Sequence, residues 1–141
     1  MMKLSRSILL AILASLALAC VAAPVKHAAP PKTVTVTESD SGKVALHAGD
    51  RLVVRLAANA STGYQWKLVD KSPKVLRPAG DPGYEPIGKP KPGSGGVAIY
   101  KFTAIKPGNA VLVFTYARSW EHKAPAKTVT YKVHIAKAGS K

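Results

Sequence analysis

Apolar and polar residues alternate with a period of two again and again along this chain, and no stretch sustains a helical period. Val34 and Val36 alternate with Thr33, Thr35 and Thr37, and Leu52, Val54 and Leu56 share a face opposite Val53 and Arg55. Tyr64, Trp66 and Leu68 lie on one side of Gln65 and Lys67, and Ala98, Tyr100 and Phe102 repeat the pattern. Val111 to Tyr116 is an almost unbroken apolar run, and Val129, Tyr131, Val133 and Ile135 alternate with Thr130, Lys132 and His134. Such alternation marks strands that bury one face. Shorter candidates lie at Val44 to Leu46 and at Val75–Leu76. Turn chemistry separates the runs at Ala48-Gly49-Asp50, Ala60 to Gly63 and Pro107-Gly108-Asn109. Eleven glycines and eleven prolines in 141 residues count further against a helical bundle. The pattern predicts an all-β chain, an immunoglobulin-like antiparallel β-sandwich of seven to eight strands.

The N-terminus reads differently. Lys3 and Arg6 precede the apolar run Ile8 to Leu18, and Ala17-Leu18-Ala19 supplies a small-x-small cleavage pattern. This predicts an export signal over residues 1–19. Its apolar run is too short to stay in a bilayer as a spanning helix. Cys20, the chain's one cysteine, falls at the cleavage point and resembles the lipobox of bacterial lipoproteins. Lipidation of Cys20, with membrane anchoring through it, is the expectation; ordinary cleavage nearby is the alternative. Residues 20–32, rich in Ala and Pro, read as a tether, 33–136 as the sandwich domain and 137–141 as a polar tail. The expected location is outside the cytoplasm, either periplasmic or lipid-anchored in the bacterial envelope.

Most catalytic readings find no support. A single cysteine excludes an internal disulfide, and because Cys20 lies outside the domain a Cys-His nucleophile is not expected. His27, His47, His122 and His134 show no metal-ligand spacing, and no metal or other cofactor is implied. Seven scattered acids offer no evident carboxylate pair, and Gly93-Ser94-Gly95-Gly96 lacks the lysine and helix of a phosphate loop. The chain is expected not to be an enzyme. It is strongly basic, with 21 Lys and Arg against 7 Asp and Glu. The formal charge of +14 falls only to +12 without Lys3 and Arg6, so the excess belongs to the domain. Export and strand-bound aromatics argue against nucleic acid as a ligand. The charge then serves an acidic protein, anionic lipids, or simply a solvated surface.

Three segments between the strands carry the remaining information. Asn59-Ala60-Ser61-Thr62-Gly63-Tyr64-Gln65-Trp66 enters a strand from a small polar turn. Gly93-Ser94-Gly95-Gly96 precedes the Tyr100 strand, and Arg118-Ser119-Trp120-Glu121 leaves a tryptophan in an apparent loop. In this order they resemble the chagasin family of cysteine-protease inhibitors, whose pattern is N-P-T-T-G-[YF]-x-W, then G-x-G-G, then R-P-W. The resemblance runs from about Val34 to Ile135, with Ala60 and Ser119 where the pattern has proline. It implies a bacterial, exported member of the family, acting as a reversible inhibitor of papain-like cysteine proteases in a one-to-one complex, as a monomer and without a covalent step. By the motifs, Asn59, Ala60, Ser61, Thr62, Gly63 and Tyr64 would enter the centre of the protease cleft. Gly93, Ser94, Gly95 and Gly96 would lie along the non-primed side, and Arg118, Ser119 and Trp120 along the primed side. Trp66 is assigned to the core instead, and Trp120, with Arg118 two residues before it, has the composition of an interface anchor. The alternative is an exported immunoglobulin-like binding or adhesion module for an anionic envelope ligand or an acidic protein.

Overall fold

The computed structural model describes residues 29–69 and 74–139. The expected export signal, Cys20 and most of the tether lie outside the described residues. Among the described residues there are nine strands: β1 Thr33–Thr37, β2 Gly42–His47, β3 Arg51–Ala58, β4 Tyr64–Leu68, β5 Leu76–Pro78, β6 Gly83–Pro86, β7 Gly96–Ala104, β8 Gly108–Arg118 and β9 Lys127–Ala136. Two short 3-10 turns, Glu38–Asp40 and Ala60–Thr62, are the helical elements among the described residues. One sheet runs β1-β3-β7 with β5 and β6 following one another along the outer side of β7; the other runs β2-β9-β8-β4.

The alternation reads directly into the packing. Leu52, Val54 and Leu56 of β3 point inward and are fully buried, as are Leu112 and Phe114 of β8 and Tyr131 of β9. Together with Val36, Leu46, Phe102, Val133 and Ile135 they form one core between the sheets. Polar ends of the core aromatics find backbone partners, as burial requires. Tyr131 donates its hydroxyl to the Thr37 carbonyl at 2.7 Å, and burial, with Asp40 and Glu38 nearby, pushes its ionisation up to about 12. Trp66 is 5% exposed, and its Nε1 donates to the Ala57 carbonyl across the sandwich at 2.9 Å. Tyr100 returns the contact, donating its hydroxyl to the Trp66 carbonyl at 2.6 Å.

Two expectations about the strands need correction. The count is nine, not seven to eight, because β6 has no apolar alternation to announce it. Its residues Gly83, Tyr84, Glu85 and Pro86 are all exposed, and backbone pairing to β7 holds them as an edge, where proline is tolerated. The sandwich is also not antiparallel throughout: β1 runs parallel to β3, and β2 parallel to β9. The Glu38–Asp40 turn carries the chain from one sheet to the other, and the 48–50 turn carries it back. The two short strands therefore take the open edge of each sheet in the direction those turns impose.

Topology puts three connections at one end of the sandwich: β3–β4 (59–63), β6–β7 (87–95) and β8–β9 (119–126). At the opposite end lie the start of β1, the end of β9 and the β2–β3 and β7–β8 turns. Asp50 organises that base. It is 7% exposed and accepts the Lys32 amide at 2.9 Å and the His47 amide at 2.8 Å. Burial alone would raise its carboxyl, but those two amides and the charges of His47 and Lys32 hold it below the ordinary carboxylate range.

Candidate functional site

The three motif segments come together at the upper end, and side chains tie them to one another. Asn59 begins the first loop with an extended backbone and caps the Ala60–Thr62 turn, its Oδ1 accepting the Ser61 amide at 3.2 Å and the Ser61 hydroxyl at 2.6 Å. Its amide side chain donates to the Gly93 carbonyl at 3.2 Å, which joins the first loop to the second. Arg118 donates from Nε to the Thr62 carbonyl at 3.0 Å, which joins the third loop to the first. Its guanidinium also lies 4.5 Å from the Tyr64 ring centroid and bonds Glu121 at 2.9 Å. With donors pointing both ways and a ring beneath it, Arg118 acts as a clamp.

Gly63 shows why the first loop needs glycine. Its φ is +76°, in the left-handed region, and a Cβ there would collide with the six-membered ring of Trp120. The indole therefore rests on the bare backbone of Gly63 and remains 63% exposed. That is an unusual degree of exposure for a tryptophan that nonetheless has a fixed seat. Below the loops the stems are latched. Tyr116 accepts the Asn59 amide on its hydroxyl at 3.0 Å and stands between Tyr64 and Trp66, with centroids 5.2 and 4.9 Å away. Because Trp66 reaches the Ala57 carbonyl, both ends of the first loop are fixed to the core.

The glycine loop divides. Gly93 is exposed with φ +85°, and Ser94 and Gly95 are half-buried. Gly96 is different: it is buried in β7, paired to Ala58 on one side and Pro86 on the other. A Cβ on Gly96 would strike the Tyr84 ring and the Glu85 carbonyl. Its missing side chain makes room for β6, so this glycine has a packing task within the sheet. The open backbone is Gly93 to Gly95, and Ile87 donates its amide to Gly95 across the loop at 3.0 Å.

Sequence reasoning passed over three contributors. Tyr116 was hidden in the apolar run of β8, although a hydroxyl at the last turn of a strand signals a polar task. Glu121, three residues after Arg118, carried the spacing of a turn-bridging ion pair. Ile87, in the second loop, is 63% exposed, an apolar side chain left beside the site, and only its neighbours Lys89 and Lys91 mark the place in sequence. Ala60 and Ser119 sit where proline would be accommodated. Ala60 opens a 3-10 turn after an extended residue, and Ser119 follows Arg118 in a turn closed by the Glu121 amide on the Arg118 carbonyl at 3.2 Å.

Three exposed loops on a rigid frame form an interaction surface. The fold is similar to that of the cysteine protease inhibitor EhICP2 from Entamoeba histolytica, with a TM-score of 0.67 at 22% identity over 74% of this chain and 96% of that one. It is also similar to amebosin, with a TM-score of 0.60 at 27% identity over 74% of this chain and 98% of that one. Both neighbours are matched over almost their whole length. No curated protein matches the sequence. Residues 45–135 match the Chagasin family peptidase inhibitor I42, a span that begins in β2, ends in β9 and includes all three loops. The chain belongs to the chagasin family of peptidase inhibitors.

Proposed function

We propose that this protein inhibits papain-like cysteine proteases reversibly, one molecule to one protease, by seating the three loops of its upper end in the active cleft. Family membership supports the inhibitor reading, and one observation carries the mode. The loops are cross-bonded into a single surface through Asn59 to Gly93, Arg118 to Thr62 and Trp120 on Gly63. A surface already held in shape loses little freedom on docking, which is where tight non-covalent inhibition comes from. The 3-10 turn Ala60–Thr62 forms the crest and meets the catalytic thiol without offering it a strained or activated carbonyl. Gly93 to Gly95 present backbone on one flank, and Trp120 presents its open indole face on the other. The protein acts as a monomer outside the cytoplasm, carried there by residues 1–19 and retained by acylated Cys20. Mass spectrometry of the protein from its native envelope tests the anchor: an unmodified chain starting between Cys20 and Lys26 would refute it. The inhibitory role is tested by titrating active papain. Activity should fall linearly to zero at one equivalent, and undiminished activity at a large excess would refute the proposal.

A further inference from the structure

The end of the sandwich opposite the loops has its own chemistry, which inhibition does not use. Backbone bonds gather it into one patch: the Arg51 amide donates to Lys32, Gly49 to Ala104, Ala48 to Ala136 and Ile105 to Val75, all at 2.7–2.9 Å. Lys32, Arg51, Lys74, Lys106 and Lys137 all project from this base and all are exposed. Among the described residues the base has one carboxylate, Asp50, and it is buried against the Lys32 and His47 amides. Ile105, 42% exposed, sits among the lysines. At the upper end the balance differs, since Glu85 and Glu121 stand there and each pairs with an arginine. Among the described residues the exposed charge of the base is therefore all positive.

The chain's path gives that patch a partner. β1 begins at the base, so the segment before Thr33 leaves from among these cations. Only twelve residues, 21–32, separate Cys20 from Thr33, a reach of about 40 Å when fully extended. We infer that the base docks on an anionic lipid bilayer, its five cations on the headgroups and Ile105 at the interface, so that the loops face away from the membrane. An acylated Cys20 would add a tether to this contact, but the contact does not depend on it. A bilayer suits the patch better than an acidic protein, because the cations are spread over strand ends and turns. Such charges attract a surface rather than fit a shape.

Vesicle co-sedimentation of the domain from Ala29 onward, which lacks both leader and Cys20, tests this. The vesicles are either zwitterionic phosphatidylcholine or the same lipid with phosphatidylglycerol as one lipid in three. The parent should sediment with the anionic vesicles only, and less at physiological than at low salt. Lys74→Glu/Lys106→Glu/Lys137→Glu should lower binding about 100-fold or more, each cation being worth about five-fold, and leave papain inhibition unchanged. Lys89→Glu/Lys91→Glu/Lys123→Glu, the same charge change at the loop end, should keep most of the vesicle binding. Equal losses in the two variants would overturn the proposal, since net charge alone would then be responsible. Failure of the parent to bind anionic vesicles, or equal binding to both kinds, would overturn it too and point to a protein partner. Melting curves control for folding. If the base variant melts early, Lys137→Glu alone, beyond the end of β9, should still lower binding about five-fold.

Discussion

Replacing Trp120 by alanine should separate binding from folding, because the structure leaves most of this indole unused. It is 63% exposed, and a tryptophan can bury up to about 250 Å². The fold therefore already hides about 90 Å² of it against Gly63, which at about 25 cal/mol per Å² is an upper limit of about 2 kcal/mol. The remaining area, about 160 Å², would be lost to water only in a protease cleft and corresponds to about 4 kcal/mol. That is close to a thousand-fold in inhibition constant. Trp66 is the control: it is 5% exposed, donates to Ala57 and packs at a tilt against Tyr116, so Trp66→Ala should cost about 3–5 kcal/mol of stability. Paired melting curves and papain titrations read both effects. Trp120→Ala should lower Tm by no more than about 8–16 °C while losing most of its inhibition, and Trp66→Ala should melt much earlier. A Trp120→Ala protein that inhibits like the parent, or that melts as early as Trp66→Ala, would refute the assignment of this loop.

Four other substitutions probe the frame. Ala60→Pro and Ser119→Pro should each stabilise by about 0.4–1 kcal/mol and tighten inhibition, because both positions suit proline and only the unfolded chain loses freedom; a lowered Tm for either would show that its amide has a task. Gly63→Ala must adopt a left-handed backbone, costing about 1–2 kcal/mol, and must also push Trp120 from its seat. It should therefore weaken inhibition at least as much as it lowers stability, measured by the same pair of assays. Asp50 is ionised more readily folded than unfolded, so its stabilisation is complete above the unfolded carboxylate value of about 4 and fades as pH falls through the lower folded value. Asp50→Asn should lower Tm at pH 7 and flatten the acid side of the Tm–pH curve; an unchanged acid limb would exclude the role given to Asp50.

What was legible in the sequence followed from periodicity. Every strand with an alternating apolar face was placed, since a half-buried strand must write its burial into every second residue. β6 was illegible because its stability comes from backbone pairing with β7 and from the space left by Gly96, neither of which needs an apolar side chain. Parallel pairing of β1 and β2 was illegible for a related reason: direction is set by the turns that hand the chain between sheets, while alternation is indifferent to it. At the site, the loops were recognisable by residue type, and Trp66 could be separated from Trp120 because one sat in an alternating strand and the other among charges. The cross-links were not recognisable. Asn59 to Gly93 and Arg118 to Thr62 span 34 and 56 residues, and Tyr116 reaches Asn59 over 57, distances at which no local pattern survives.

The central claim, that the three loops together occupy the protease cleft, is tested most directly by amide hydrogen exchange in the complex with papain. Protection should appear in 59–63, in 93–95 and in 118–121, and exchange should be unchanged in the 48–50 and 105–107 turns at the base. Papain's active-site thiol should at the same time resist alkylation. Protection confined to the base or to a sheet edge, with the three loops exchanging as in the free protein, would contradict the account.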